Sequence, residues 1–244
     1  MRDSLGPAAF REVLKINRID LAHVRAGDSL VIPAPDAAFD SLRYAPFPRK
    51  LARVDSLEKF LLVSLRVQAF GAYERGRLIR WGPTSSGKKQ TPTPARLYHV
   101  NWKDRERVST FDEEWLLTWY INLDNLEGIS LHQYGMPGYA ASHSCMRLLE
   151  EDARWLYAWV EQWRLTSDGA HVARNGTPVL VFGAYGYGRR RPWRRLPEDP
   201  LATNVTAQDI EAALAGIRLV ETVPLLAEQA DSVAIADHPQ PVRE

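Results

Sequence analysis

The sequence predicts a mainly β fold of the α+β type, a mixed β-sheet body with one helix directly after the only cysteine. Three observations predict it. Short apolar runs rich in Val, Leu, Phe and Tyr recur between residues 60 and 81 and again at 179–182, at strand length. Turn signals punctuate them, Glu74-Arg75-Gly76-Arg77 in the first group and Asn175-Gly176 before the last run. After Cys145, Leu148, Leu149, Ala153, Leu156 and Val160 fall on one helical pattern with Trp155, Trp159 and Trp163.

The elements follow in chain order. Phe10, Val13 and Leu14 predict a helix, Ala26-Gly27-Asp28 a turn, and Leu30-Val31-Ile32 a short strand ended by Pro33. Residues 34–56, with Pro35, Pro46 and Pro48 and no sustained period, read as a linker or a surface-wrapping segment. From Phe60 the chain alternates through Val67 and on through Tyr73, then turns into Leu78-Ile79-Arg80-Trp81, which predicts antiparallel strands. A loop at Ser85-Ser86-Gly87 and Thr91-Pro92-Thr93-Pro94 leads to a strand at Leu97, Tyr98 and Val100. The tryptophan stripe reads as a core or interface face rather than a sugar platform. Val179-Leu180-Val181-Phe182 is a short buried strand. Arg189–Arg195 reads as a solvated or internally paired turn, and a helix starts near Thr206 with Asp209 placed for a capping box. The Pro- and charge-rich C-terminal residues are expected to be disordered.

Composition narrows the function. The 244 residues, 45% apolar, suffice for one main domain plus extensions. A net charge of +1 argues against a dedicated nucleic-acid binder. One cysteine excludes an internal disulfide framework and a multi-cysteine metal site. No apolar run reaches the length of a membrane span, and Arg2, Asp3, Arg11 and Glu12 leave no signal-peptide core.

The chemistry concentrates between His132 and Cys145, where Ser142, His143, Ser144 and Arg147 gather around one thiol. A thiol with an unperturbed pKa of about 8.5 is mostly protonated at neutral pH and needs a basic or electropositive neighbour. A papain-like hydrolase would place its histidine far downstream, whereas here the close histidines precede the cysteine. Zinc held by His132, His143 and Cys145 is chemically feasible but lacks a second cysteine or a carboxylate at ligand spacing. A buried cysteine acting as a small hydrophobe would have no reason to collect such neighbours.

Ser142-His143-Ser144-Cys145-Met146-Arg147, preceded by His132 and Gly138, resembles the signature of the YkuD-type L,D-transpeptidases. Ser86-Gly87-Lys88, Thr91-Pro92-Thr93-Pro94 and Gly176-Thr177-Pro178-Val179 resemble that family's further segments in the expected order. The resemblance implies a metal- and cofactor-independent cysteine acyltransferase acting on peptidoglycan stem peptides, in the cell envelope and most naturally the periplasm. Cys145 would be the nucleophile and His132 the base, its ring held by a carbonyl such as that of Gln133. Backbone N–H groups of Ser144 and Cys145 would form the oxyanion hole. Arg147 would hold a substrate carboxylate or brace the loop, and His143, Ser142, Tyr134 and Gly138, with Tyr139, would contact substrate. Two other readings of the site are an L,D-carboxypeptidase using water as acceptor and a noncatalytic wall-binding protein.

Two departures from the family pattern stand out: Ser144 replaces a glycine, and Arg96 stands after the Thr-Pro-Thr-Pro run where a glycine is usual. The His132 to Cys145 interval is short for the family, which implies a trimmed lid. Val13, Asn17, Gly27, Leu30 and Pro33 resemble the latter half of a LysM module, a reading in which the N-terminal segment reaches glycan strands and the chain has lost upstream sequence. The resulting division is a partial LysM-like segment (1–33), a linker (34–56), a catalytic domain (57–187) and a C-terminal extension (188–244).

Overall fold

A computed structural model describes residues 2–33, 40, 42–109, 115–217, 219 and 233–234. The apolar run at residue 60 becomes strand β1 (Lys59–Ser64), followed by β2 (Ala69–Glu74) and β3 (Arg77–Pro83). These pair antiparallel, with Phe60 opposite Tyr73 and Gly71 opposite Trp81. Strand β4 (Leu97–His99) forms where Leu97 and Tyr98 predict it, and the run at Val179 is a strand spanning Pro178–Phe182.

Charged and mixed residues build four further strands before the helix, β5 (Lys103–Val108), β6 (Leu116–Asp124), β7 (Ile129–Gln133) and β8 (Met146–Leu148). Helix α2 (Glu150–Trp159) follows, then β9 (Arg164–Thr166), β10 (Val172–Arg174), the Pro178–Phe182 strand as β11, and a two-residue β12 (Val233–Ala234). The sheets run β3-β2-β1-β11-β4, β5-β6-β7-β8 and β10-β9-β12.

The two larger sheets share a core. In β1, Leu61 and Val63 face a cluster that also takes Ile121, Leu131 and Met146 from the four-stranded sheet and Ala153 and Leu156 from α2. Phe60 and Leu62, one step out of phase, face a second cluster on the other side. Burial on both faces explains why β1 and its parallel partner β11 are apolar without interruption.

The second cluster is covered by the segments outside the predicted catalytic body. Helix α1 (Arg2–Asn17) supplies Ile16, and α3 (Ala207–Leu214) supplies Ile210 and Leu214. The stretch read as a linker supplies Phe47, Leu51 and Val54 to the same core, a departure from a surface-wrapping segment. The Phe47 ring lies against β2 so closely that a Cβ on Gly71 would meet its Cδ2 at 2.9 Å.

Other expectations are corrected. Leu30–Ile32 forms no strand; the Asn17 side chain takes the place of a pairing strand, donating to Val31 O at 2.8 Å and accepting from Val31 N at 2.9 Å. The helical tryptophan stripe stops at Trp159, because Val160 turns extended. Trp155 and Trp159 stack, while Trp163 packs with Trp102 and Tyr120. The predicted α3 start is observed, with Thr206 and Asp209 making a capping box. In the arginine cluster Arg190 pairs with Glu198 and Arg195 with Asp199, as expected of an internally paired turn. Of the C-terminal residues expected to be disordered, Val233 and Ala234 pair with β9, and the others lie outside the described residues. No described helix is long and apolar enough to cross a membrane.

Candidate active site

Strand β7 alternates a core residue with site residues. Leu131 points into the shared core, so Ser130 and His132 lie on the opposite face. Parallel pairing with β8 sets His132 opposite Arg147 and Leu131 opposite Met146, which brings Cys145 level with the end of β7. Cys145 and His132 line one cavity of about 650 Å³.

The thiol is half-buried. Its Sγ accepts from Ser130 Oγ at 3.1 Å and donates to Gly128 O at 3.2 Å, so its hydrogen bonds run to these groups rather than to His132. Burial pushes the thiol above its ordinary value, while the Ser130 bonds and the Arg147 charge act in the other direction. His132 is pulled down to about 4 by burial, opposed by its bond to Gln133 O and assisted by the nearby Arg147 charge. The ring is therefore neutral at pH 7. With Nδ1 the donor to Gln133 O at 3.0 Å, Nε2 is left with the lone pair a base requires.

An aromatic column fixes this imidazole. Tyr120 stacks on His132 at 6.2 Å and on Trp102 at 5.3 Å, and Tyr134 meets His132 edge-on at 6.1 Å. Arg107 lies over Trp102 and Tyr120, and Arg147 over Tyr134. Such rings hold the histidine in place and exclude water around it.

A family model of the L,D-transpeptidase catalytic domain, YkuD, matches residues 58–181. The chain belongs to this family. Solved structures similar to it include an L,D-transpeptidase (Yku) from Stackebrandtia nassauensis, 23% identical over 52% of this chain and 57% of that chain, TM-score 0.42. Another, from Mycobacterium smegmatis, is 20% identical over 52% of this chain and 59% of that chain, TM-score 0.40. L,D-transpeptidase 1 of Mycobacterium tuberculosis is 22% identical over 51% and 62%, TM-score 0.38. The match thus spans less than two thirds of each of these proteins. No curated protein matches the chain.

In this L,D-transpeptidase domain the Ser86-Gly87-Lys88 segment is the rail along which the cysteine loop is laid. Ser85 and Arg147 exchange backbone bonds at 3.0 and 2.9 Å, Ser142 N donates to Ser86 O, and Lys88 N donates to Ser142 O. Gly87 is required, since a Cβ there would meet Thr91 O at 2.0 Å. Ser144 takes φ 87, the left-handed region that its family glycine would occupy without strain. Thr93 holds it there, its Oγ1 accepting from Gly87 N at 2.9 Å and donating to Ser144 O at 2.6 Å.

Of the residues singled out by sequence, Cys145, His132, Ser144, Arg147, His143, Ser142 and Tyr134 all line the cavity. Arg147 also braces the loop, donating from Nη1 to Gly135 O at 3.1 Å. His143 contacts Lys88 Nζ at 2.5 Å and packs on Trp115; burial and then the Lys88 and Arg147 charges lower its pKa. Gly138 and Tyr139 do not join the cavity. A Cβ on Gly138 would approach Asn17 O and Ile19, and the half-exposed Tyr139 ring lies under Arg191. Both belong to a seam with the terminal segments, where Asp20 and Met136 exchange hydrogen bonds and Ile19 bridges Pro137. Sequence reasoning missed Ser130, Tyr120 and Trp115. Ser130 alone carried a signal, lying two residues before His132 on the same strand face.

Proposed function

We propose that the chain is a peptidoglycan L,D-transpeptidase working through a Cys145 acyl-enzyme, with residues 57–187 as its catalytic unit. The observation that carries this is the pairing, in one cavity, of a lone thiol with a neutral histidine whose tautomer leaves Nε2 as a base. The Cys145 thiol turns from Gly128 O toward His132, and its proton passes to Nε2 as Sγ attacks the carbonyl that joins an L-centre of diaminopimelate to a terminal D-alanine. Backbone N–H groups of Ser144 and Cys145 stabilise the oxyanion. Collapse breaks the C–N bond, His132 returns the proton to the departing D-alanine amine, and a thioester remains. An acceptor amine then attacks the thioester, passes its proton through His132 and restores the thiol. Arg147, His143, Ser142 and Tyr134 are the proposed contacts of the donor stem, and the enzyme works in the cell envelope, on the periplasmic side. Glycan strands reached through residues 1–33 belong to the same reading.

Intact-mass spectrometry after incubation with a carbapenem tests it. The expected result is one acyl adduct per chain, absent from Cys145→Ala. A folded protein that acquires no adduct would favour a wall-binding role without catalysis. Product analysis on a tetrapeptide stem, with and without an amine acceptor, separates transfer from hydrolysis to a tripeptide.

A further inference from the structure

One polar group at the reacting sulfur has no part in the proton transfer to His132. Ser130, on β7, is wholly buried and flanked by the core residues Ile129 and Leu131. Its hydroxyl donates to Cys145 Sγ at 3.1 Å, and its backbone N–H acts on the same atom. Withdrawing a hydroxyl from water is costly unless it makes a good hydrogen bond. A neutral thiol sulfur is a weak acceptor and offsets little of that cost. A thiolate offsets more, because a hydrogen bond to an ionised acceptor is about twice as strong as one between neutral groups. The buried hydroxyl is therefore matched to the ionised sulfur rather than to the resting thiol.

Rotation about Cβ–Sγ re-aims the S–H bond, which points to Gly128 O at 3.2 Å, without moving the sulfur away from Ser130. Among the described residues the sulfur's hydrogen bonds run only to Ser130 and Gly128, and Arg147 acts on it by charge alone. The titratable groups around the sulfur are Arg147 on β8, His132 on β7 and Tyr120 on β6, with His143, Glu127 and Arg107 elsewhere on the cavity wall.

We propose that Ser130 is a catalytic residue whose hydroxyl stabilises the Cys145 thiolate, a role that rests on Cys145 being the nucleophile. No bond of Ser130 breaks. When the proton leaves Sγ for His132 Nε2, the electron pair stays on sulfur and the Ser130 O–H bonds to it more strongly. As the C–S bond forms, the pair is drawn into it and the Ser130 bond weakens. When the acceptor amine expels the sulfur again, the same hydroxyl stabilises the leaving thiolate.

Cys145 is the one cysteine of the chain, so a thiol measurement on the full protein reads it alone. The ultraviolet absorbance of the thiolate, with Cys145→Ala subtracted, and the rate of exchange with dithiodipyridine are followed from about pH 6 to 10. Ser130→Ala should displace the absorbance rise to higher pH and slow exchange at pH 7 by about threefold or more. Carbapenem acylation should slow in parallel. An absorbance profile identical to that of the wild type would overturn the proposal even if exchange slowed, since slowing alone is what a structural role produces. A displacement that vanishes in the His132→Ala background would also overturn it, because the hydroxyl would then act through the histidine. Thiolate absorbance needs no acyl transfer, so failure of the Ser130 role is distinct from failure of the transpeptidase reading, which a missing carbapenem adduct on the wild type would show.

Discussion

In β1 of the five-stranded sheet, Phe60, Leu61, Leu62 and Val63 are all removed from water and all apolar, whereas β7 of the four-stranded sheet removes Ser130, Leu131 and His132 almost as fully. The burial is alike and its consequences are opposite. Each buried leucine adds to stability through the apolar surface it withdraws from water. A buried histidine is held away from its charged form, which opposes stability in acid and keeps the ring neutral at pH 7. The stable sheet is the support, and the four-stranded sheet spends part of that stability on a tuned pair of titratable groups.

The contrast is sharpest in His132→Ala. Cys145 acylation should fall about 100-fold or more, the usual range for loss of a general base, with the folded state retained. Stopped-flow fluorescence of carbapenem acylation measures it, and a change below about threefold would remove His132 from the mechanism. Leu61→Ala should do the reverse, costing about 2–5 kcal/mol in urea denaturation while the surviving folded fraction acylates normally. Loss of acylation out of proportion to folded protein would mean that the support also tunes the site.

The pH dependence breaks the comparison along a different line. The unfolded histidine titrates near 6.5 and folded His132 near 4, so the unfolded chain binds more protons between these values. Stability attributable to this group is complete above about pH 6.5, falls as the pH drops toward 4, and loses on the order of 3 kcal/mol in total. His132→Gln should flatten that part of the profile in chemical denaturation at stepped pH, and an equally steep profile in the variant would refute the assignment. The acylation rate should rise with pH above 7 as the burial-raised Cys145 thiol ionises.

The smallest expected effect concerns the loop that joins β7 to β8. Ser144 sits at φ 87, a conformation that costs a non-glycine residue about 1–2 kcal/mol, part of which glycine returns as backbone entropy. Ser144→Gly should therefore raise stability by about 0.5–1 kcal/mol. An unchanged urea midpoint would show that the Thr93 bond to Ser144 O already offsets the strain.

What the sequence displayed was whatever depends on local pattern. The continuous apolar runs of β1 and β11, the turn at Gly76, the capping box at Thr206 and the cluster around Cys145 are all readable within a few residues. Strand β5, Lys-Asp-Arg-Glu-Arg-Val, carries no apolar run because its side chains are mostly exposed or half-buried, and its pairing with β6 supplies what its pattern lacks. Only the tertiary structure decided that Phe47, Leu51 and α3 close the far face of the five-stranded sheet. It alone set Tyr120 against His132, turned the Cys145 thiol toward Ser130 and Gly128, and moved Gly138 and Tyr139 from the cavity to the seam with the terminal segments. The reason is physical. Periodicity records which face of an element is buried, but the partner that buries it, and the solvent it excludes from a titratable group, are set by residues distant in the chain.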